Sequence, residues 1–272
     1  MRLKRFLSIL YIGIGIILAG CFSNSSNEQK VIRIGTSVGD FGTMARDFIA
    51  PELKKQGYSV KVTEFSDIMG PNIALNDGSI DINTFQHRFF LEGFNQSNQS
   101  DLLPIFQIPT GPLGLYSGRK QALHEVEKGA VVAVPLDTTN YSRALILLQD
   151  LGWIELSENG ADPFSVSAKD IISNPHGIIL KEIESPLIPR IRVDVDYAII
   201  TGNFAASSGI PFSEALFTDP HYNFINWAVI RPEDAESDWV KAITEVYHGA
   251  EYRAYIKEHF PGYKHPASWN SR

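Results

Sequence analysis

The stretch VAVPLDTTNYSRALILLQ, residues 132–149, predicts a buried strand, a polar loop and a helix in direct succession. It begins inside the run VVAVP, residues 131–135, which is short, apolar and β-branched, as in a strand covered on both faces. Thr138 or Thr139 is suited to cap the helix, and Gly152 is suited to end it. A strand that leads straight into a helix is the repeating unit of an α/β fold.

The same alternation of strands and helices continues on both sides of this stretch. Further strands are predicted at residues 31–37, 59–65, 79–83, 102–108, 178–183, 195–200 and 224–230. Further helices are predicted up to residue 56, with Pro51 inside the pattern, and at residues 71–75, 86–96, 202–208 and 235–260. Ligands of such folds bind beyond the carboxyl ends of the strands. Four polar loops follow predicted strands and form the expected site, at residues 39–40, 84–87, 137–140 and 201–203.

The first residues, MRLKRFLSILYIGIGIILAGC, have the three zones of a secretory signal peptide. A basic start is followed by an apolar run at residues 6–18, which is shorter than the ~20 residues of a membrane span. Small residues then precede Cys21. We therefore expect residues 1–20 to be removed on export, and residues 21–30, which are polar, to be a flexible tether. A single anchor helix with a buried cysteine is the alternative interpretation.

Composition and charge limit the partners of the mature chain. The sequence has 24 Lys and Arg against 31 Asp and Glu, and without the three cations of the signal peptide the balance is near −10. This acidity argues against binding to nucleic acid and against flat adhesion to anionic lipid. The chain has one cysteine, so no disulfide is expected, and its 44% of hydrophobic residues must supply a core for two modest lobes or one large domain.

Several segments resemble, in the same order, the NlpA/MetQ family of methionine-binding lipoproteins. The matching motifs are DGSIDINTFQH at residues 77–87, GPLGLYS at 111–117, the stretch at 132–149, DYAIITGNFA at 196–205 and NWAVIRPED at 226–234. LAGC, residues 18–21, resembles the lipobox in which the cysteine receives a lipid. The resemblance extends over nearly all of residues 32–269.

This resemblance implies a solute-binding lipoprotein of an ATP-binding-cassette (ABC) importer. The implied fold is two α/β lobes like those of periplasmic binding proteins, with residues 31–112 and 222–272 in lobe one and residues 113–221 in lobe two. The implied ligand is an amino acid, above all methionine, and the implied partners are that ligand, an ABC permease and the membrane, through lipid on Cys21. The protein is expected on the bacterial cell membrane, facing away from the cytoplasm, with no catalysis, no cofactor and no metal.

Arg143 is the first candidate ligand-binding residue. Its predicted position in the first helical turn is unfavourable for a cation, because a helix N-terminus prefers anions. From this residue alone, a role in ligand binding and an ordinary surface salt bridge are both possible explanations of its position. The resemblance implies that Arg143 pairs with the ligand carboxylate, for which a guanidinium is well shaped. It also implies that Asn140 and Asn226 hold the ligand's charged backbone groups, while helix capping is the alternative for Asn140.

Phe85, His87 and Phe90 match the positions that form the side-chain pocket in the family. Aromatic faces pack well on a thioether, whereas burial in an ordinary core is the alternative for the two phenylalanines. Two positions depart from the family pattern, because Ile68 stands where the family has a tyrosine and Thr201 stands where it has an asparagine. Asn203 is a candidate to compensate for the missing asparagine. These departures keep a dipeptide or another small amino-acid-like solute as alternative ligands.

An envelope enzyme and an adhesin are the two alternative classes of lipoprotein. A hydrolase of the α/β type would need the motif G-x-S-x-G after a strand, and this motif is absent from the sequence. The seven histidines have none of the spacings of zinc proteases. An adhesin would be favoured by repeats, and none is found. An envelope enzyme and an adhesin therefore remain weaker alternatives to a solute-binding protein.

Overall fold

The computed structural model describes residues 30–157 and 166–269 of the 272-residue chain. The predicted signal peptide, Cys21 and all but the last residue of the predicted tether lie outside these ranges. Within them, no helix has the length and apolar character that crossing a bilayer requires.

The described chain contains twelve strands. In chain order they are β1 Val31–Ser37, β2 Ser59–Phe65, β3 Ile82–His87, β4 Leu103–Ile108, β5 Gly114–Ser117, β6 Val131–Pro135, β7 Glu155–Leu156, β8 Ile171–Ser173, β9 Ile179–Ile183, β10 Tyr197–Ile200, β11 Ala215–Thr218 and β12 Asn226–Ile230. Ten of them form two sheets of five, with orders β2-β1-β3-β12-β4 and β11-β5-β10-β6-β9. The short β7 and β8 pair separately, antiparallel to each other.

Nine α-helices alternate with these strands within residues 30–157 and 166–269. They are α1 Asp40–Met44, α2 Ala50–Lys55, α3 Gly70–Asn76, α4 Arg88–Asn98, α5 Thr138–Asp150, α6 Ile188–Ile191, α7 Gly202–Ser207, α8 Asp238–His248 and α9 Ala250–His259. A π-helical turn, Ala45–Ile49, joins α1 to α2, and Pro51 follows it near the start of α2. Because the hydrogen-bond pattern already departs from α-helical there, the missing N–H of proline is tolerated.

Each sheet is covered by helices on both faces, so the molecule consists of two α/β lobes. In the first lobe, Ile34 and Trp239 belong to the cluster on one face of the sheet, and Leu75 and Leu91 belong to the cluster on the other. In the second lobe, α5 and α7 pack on opposite faces of the second sheet. Burial on both faces explains why β6 and β10, inside the second sheet, are almost uninterrupted apolar runs, whereas the central β3 of the first sheet is largely polar.

The predicted boundary between the third strand and the helix after it is wrong. Residues 84–87, TFQH, were predicted as a loop followed closely by a helix, but they are the buried end of β3, and α4 begins at Arg88. The polar residues here misled the interpretation, because their hydrogen bonds are satisfied inside the lobe. Asn83 donates to the side-chain oxygen of Asn72 at 2.8 Å, and Asn72 donates to that of Gln86 at 2.8 Å. This amide network fixes the start of α3 to the end of β3.

The chain crosses between the lobes where two glycines face each other. A Cβ placed on Gly202, at the start of α7, would lie 2.3 Å from the carbonyl carbon of Gly111, which follows β4. Real Cβ atoms do not approach backbone this closely, so the contact requires glycine at position 202. The close approach holds α7 of the second lobe against the crossing segment.

Gly202→Ala is therefore expected to push α7 away from the crossing segment. The free energy of unfolding should fall by about 1–3 kcal/mol, the usual cost of overpacking a buried contact, as measured by urea denaturation. Gly93→Ala is the matched control, because a Cβ at Gly93 in α4 meets nothing within 4 Å and alanine is the better helix former. Equal stability of the two variants would contradict the role given to Gly202.

Candidate functional site

A cleft lies between the two lobes, at the carboxyl ends of β1, β3, β6 and β10. It encloses about 510 Å³, counting the part open to solvent. All nine side chains predicted as ligand-binding from the sequence line this one cleft, although they come from both lobes: Ile68, Phe85, His87, Phe90, Asn140, Arg143, Thr201, Asn203 and Asn226. Three of the four polar loops predicted to form the site, at residues 84–87, 137–140 and 201–203, supply lining residues at one edge of their sheets, whereas Gly39 and Asp40 do not line the cleft.

Arg143 is buried in the cleft wall, with 4% of its surface exposed. It is the sixth residue of α5, so it lies in the second turn, and the predicted position in the first turn is wrong. The helix dipole has little effect there, so that argument for Arg143 loses its force. The Nε of Arg143 donates to Asp219 at 2.6 Å, and its guanidinium carbon lies 4.8 Å from the centre of the Phe224 ring.

A chain of hydrogen bonds crosses the cleft through His87 and Asn140. The backbone N–H of Phe90 donates to Nδ1 of His87 at 3.2 Å, so His87 caps the N-terminus of α4. The opposite ring nitrogen, Nε2, lies 3.4 Å from Oδ1 of Asn140 in the second lobe. Asn140 in turn donates through Nδ2 to Asp137 at 3.1 Å. Asp137, rather than Thr138, Thr139 or Asn140, is the N-cap of α5.

This hydrogen-bond chain requires His87 to be neutral. Nδ1 accepts a hydrogen bond and therefore carries no proton, whereas Nε2 is left as the donor to Asn140. Burial, and after it the positive charge of Arg143, lower the pKa of His87 to about 3. His87 is thus an uncharged part of the cleft wall at neutral pH.

Asn226 fits the start of β12 because its side chain repairs a break in the sheet. The pairing of β12 with β3 shifts by one residue, so that Trp227 faces Gln86 while Ala228 faces Thr84. Phe85 lies in this bulge, and its carbonyl accepts a hydrogen bond from Nδ2 of Asn226 at 2.9 Å. Asn226 also lines the cleft.

Thr201 and Asn203 flank the N-terminus of α7. Asn203 donates through Nδ2 to the hydroxyl of Ser37 at 3.3 Å, which makes a second polar contact between the lobes. Thr201 is the N-cap residue of α7, but its side chain does not cap the helix. Its hydroxyl is buried and has no hydrogen-bond partner among the described residues. A buried polar atom without a partner is costly, so a hydrogen bond to this hydroxyl would stabilise the site.

An aromatic and aliphatic wall closes the first-lobe side of the cleft. The rings of Phe85 and Phe90 meet edge to face at 6.0 Å between their centres, and the ring of His87 lies 6.3 Å from that of Phe90. Ile68 lines the same cleft and packs against the core of the second lobe. This wall suits an apolar side chain, while the amides, the hydroxyl and the guanidinium suit charged backbone groups.

The sequence interpretation missed part of the lining. Seven further residues face the cleft: Phe41, Gln86, Thr110, Gly111, Ser185, Gly202 and Phe204. Most of them directly follow strands or neighbour predicted residues, so the same edge-of-sheet rule could have found them. Among residues 30–157 and 166–269, no group of three or more His, Cys, Asp or Glu side chains is placed to hold a metal ion.

This geometry is also found in proteins of known fold. Two α/β lobes with a polar and aromatic cleft between them are the fold of periplasmic solute-binding proteins. The sequence model of the NlpA lipoprotein family matches residues 32–268, and the chain belongs to that family.

Individual relatives and solved structures agree with this membership. The D-methionine-binding lipoprotein MetQ of Salmonella typhimurium is 30% identical over 255 residues, with 92% of this chain and 93% of that protein covered. A nutrient-binding protein from Burkholderia cenocepacia, solved bound to methionine, has a TM-score of 0.82 at 30% identity and covers 87% of this chain and 99% of its own. An ABC-transporter periplasmic substrate-binding protein from Coxiella burnetii has a TM-score of 0.80 at 32% identity and covers 87% and 100%.

The low pKa of His87 predicts a pH dependence of stability. Below pH about 6.5 this histidine takes up a proton in the unfolded chain but not in the folded protein. The free energy of unfolding must therefore decrease as the pH is lowered. Between pH about 7 and 5.5 we expect His87 to account for a loss of about 1 kcal/mol, as measured by urea denaturation.

Replacing this histidine tests the assignment. His87→Gln should reduce the loss by that amount, whereas His124→Gln, at an exposed position, should leave it unchanged. An unaltered pH dependence in His87→Gln would show that this residue is not buried in the neutral form.

Proposed function

We propose that this lipoprotein captures an amino acid, with methionine as the principal ligand, and delivers it to an ABC permease. The observation that carries the proposal is the buried guanidinium of Arg143, which lines a cleft with an aromatic wall on one side and amides and a hydroxyl on the other. Such a cleft is complementary to a zwitterion with an apolar side chain. The methionine-binding and ABC-transporter relatives of the chain support the same ligand and the same partner.

In this proposal each part of the cleft holds one part of the ligand. Arg143 binds the carboxylate, for which its fork of donors is well matched. Asn140, Asn203, Asn226 and the free hydroxyl of Thr201 order the ammonium and carboxylate groups. The thioether side chain lies against the wall formed by Phe85, His87, Phe90 and Ile68, where sulfur–aromatic contacts are favourable.

A dipeptide or a similar small solute is the second candidate ligand. The observation in its favour is the pair of departures at Ile68 and Thr201, which both line the cleft. Isoleucine is smaller than the tyrosine expected at position 68, whereas threonine has about the size of the asparagine expected at position 201 but lacks its amide. The added space would admit a ligand longer than a single amino acid.

We further propose that residues 31–112 and 222–272 form lobe one and residues 113–221 form lobe two, with closure about the crossing segments. The two neutral contacts His87–Asn140 and Ser37–Asn203 would form as the lobes close. Cys21 would carry the lipid that holds the protein on the bacterial cell membrane, facing away from the cytoplasm. The protein performs no catalysis in this account.

Arg143→Ala tests the carboxylate assignment. It should weaken methionine binding by about 2–5 kcal/mol, because a buried charge-assisted pair is lost, as measured by isothermal titration calorimetry. Asp219 keeps Lys264 as a partner in this variant, so folding should persist. Arg119→Ala, which removes an exposed ion pair with Asp196, is the control and should bind as the wild type does. Wild-type affinity in Arg143→Ala would remove Arg143 from the binding site.

Thr201→Val separates binding from stability. The substitution deletes a hydroxyl that has no partner among the described residues, so stability without ligand should be unchanged or slightly higher. Affinity for methionine should fall by about 0.5–1.5 kcal/mol, the usual net value of one hydrogen bond. Calorimetry and thermal unfolding of the same preparation give both quantities, and unchanged affinity would show that the hydroxyl does not touch the ligand.

A further inference from the structure

Asp219 follows β11 and is the carboxylate that binds the cleft arginine, although it is not among the described residues that line the cleft. Its Oδ2 accepts from both Nε and Nη2 of Arg143, and its Oδ1 accepts from Nζ of Lys264. The exposed side-chain fractions are 5% for Arg143, 1% for Asp219 and 12% for Lys264. One buried carboxylate is therefore shared between two buried cations.

Lys264 ties this carboxylate to the segments that cross between the lobes. Besides the Asp219 side chain, its Nζ donates to the carbonyls of Asp219 at 2.9 Å and His221 at 2.6 Å. Three acceptors match the three N–H donors of an ammonium group. Burial lowers the pKa of Lys264, whereas the charge of Asp219 and the hydrogen bond to it act in the opposite direction and favour the charged form. The backbone of Lys264 also pairs in both directions with Thr110, which follows β4. Asp219 is thus clamped to both crossing segments.

The contacts of Arg143 leave one edge of its guanidinium unused. The group has five N–H donors, and Asp219 takes Nε together with one donor of Nη2. The opposite edge, formed by Nη1 and the second donor of Nη2, has no acceptor among the described residues. The Phe224 ring lies against the guanidinium with 4.8 Å between its centre and Cζ. The free edge therefore has a fixed direction before any ligand arrives.

The cluster of Arg143, Asp219 and Lys264 carries a net charge of +1. Arg143 and Lys264 contribute two cations against the single carboxylate of Asp219. Burial acts to raise the pKa of Asp219, but the charges of Arg143 and Lys264 outweigh it and hold that pKa below its usual value, so the carboxylate is ionised. His87 adds no charge because its pKa is about 3. A buried charge needs a partner of opposite sign, and one ligand carboxylate would supply it.

We propose that Asp219 is a positioning residue for the ligand. Held by Lys264, it fixes one edge of the Arg143 guanidinium so that the other edge presents two parallel donors to a carboxylate. The site thereby selects a carboxylate over the neutral amide of the same compound. This inference rests on the proposed function, since it assigns the group that orders the head of the ligand.

The experiment compares methionine with methioninamide, which lacks the negative charge, by isothermal titration calorimetry. The measured quantity is the ratio of the dissociation constant of the amide to that of the acid. Asp219→Asn removes the charge at constant shape, and its amide can accept from only one of the two cations. The double variant Asp219→Asn with Lys264→Met keeps the net charge of the cluster at +1. It therefore separates the effect of the position of Arg143 from the effect of the net charge.

If Asp219 positions Arg143, both variants should lose selectivity for the acid by about tenfold or more, the order of one aligned charge-assisted pair. Asp150→Asn, which removes the carboxylate paired with His221 at the other end of α5, should keep the wild-type ratio. A wild-type ratio in both Asp219 variants overturns the proposal. A ratio that rises in the single variant, where the cluster carries +2, and returns to the wild-type value in the double variant also overturns it, because charge alone would then set the selectivity.

A measurement without ligand keeps this inference separate from the proposed function. In ¹⁵N-arginine-labelled protein, the Nε–H of Arg143 should give a resonance protected from exchange, because it is buried and bound to Asp219. Both variants should lose that protection, and retained protection would overturn the positioning role. A wild type that binds neither compound but shows the protected resonance would contradict the proposed ligand while leaving the placement of Arg143 intact.

Discussion

The buried charge of Arg143 is the constraint around which the cleft is built. A guanidinium out of water needs anions on its donors, and the fold supplies Asp219 for one edge only. Sharing that carboxylate with Lys264 leaves the cluster short of one negative charge. The amides, the hydroxyl and the aromatic wall around it are neutral, because burial holds even His87 in its uncharged form. The positive charge that an anionic ligand group would neutralise therefore lies at the Arg143 guanidinium. The rest of the cleft is lined by apolar groups and amides.

The contacts that hold the lobes together across the cleft are weak by comparison. His87–Asn140 and Ser37–Asn203 are long hydrogen bonds between neutral groups, each worth about 1 kcal/mol. A ligand that pairs with Arg143 gains more than either of them. The lobes themselves are fixed internally by large cores and joined by crossing segments that pack tightly at Gly111 and Gly202. Ligand contacts can therefore decide the balance between open and closed forms, as in hinge-closing receptors.

The sequence carried much of this arrangement. The alternation of strands and helices predicted the α/β class, and the family motifs predicted nine residues that the topology brings to one cleft. Prediction from sequence fails where a local pattern conflicts with tertiary burial. The polar end of β3 has the pattern of a loop, because the amide partners that allow its burial lie elsewhere in the chain. Asp219 was missed for a related reason, since 76 residues separate it from Arg143 and no local pattern indicates their pairing.

The central proposal is that the cleft binds methionine through Arg143 and the aromatic wall. Native mass spectrometry of the chain from residue 22 onward, as purified from cells, tests this claim most directly, because tight binders of this class often retain their ligand. The account predicts a second species heavier than the protein by one methionine, which disappears in Arg143→Ala. A bound mass of a different compound, or an empty protein to which added methionine does not bind, would contradict it.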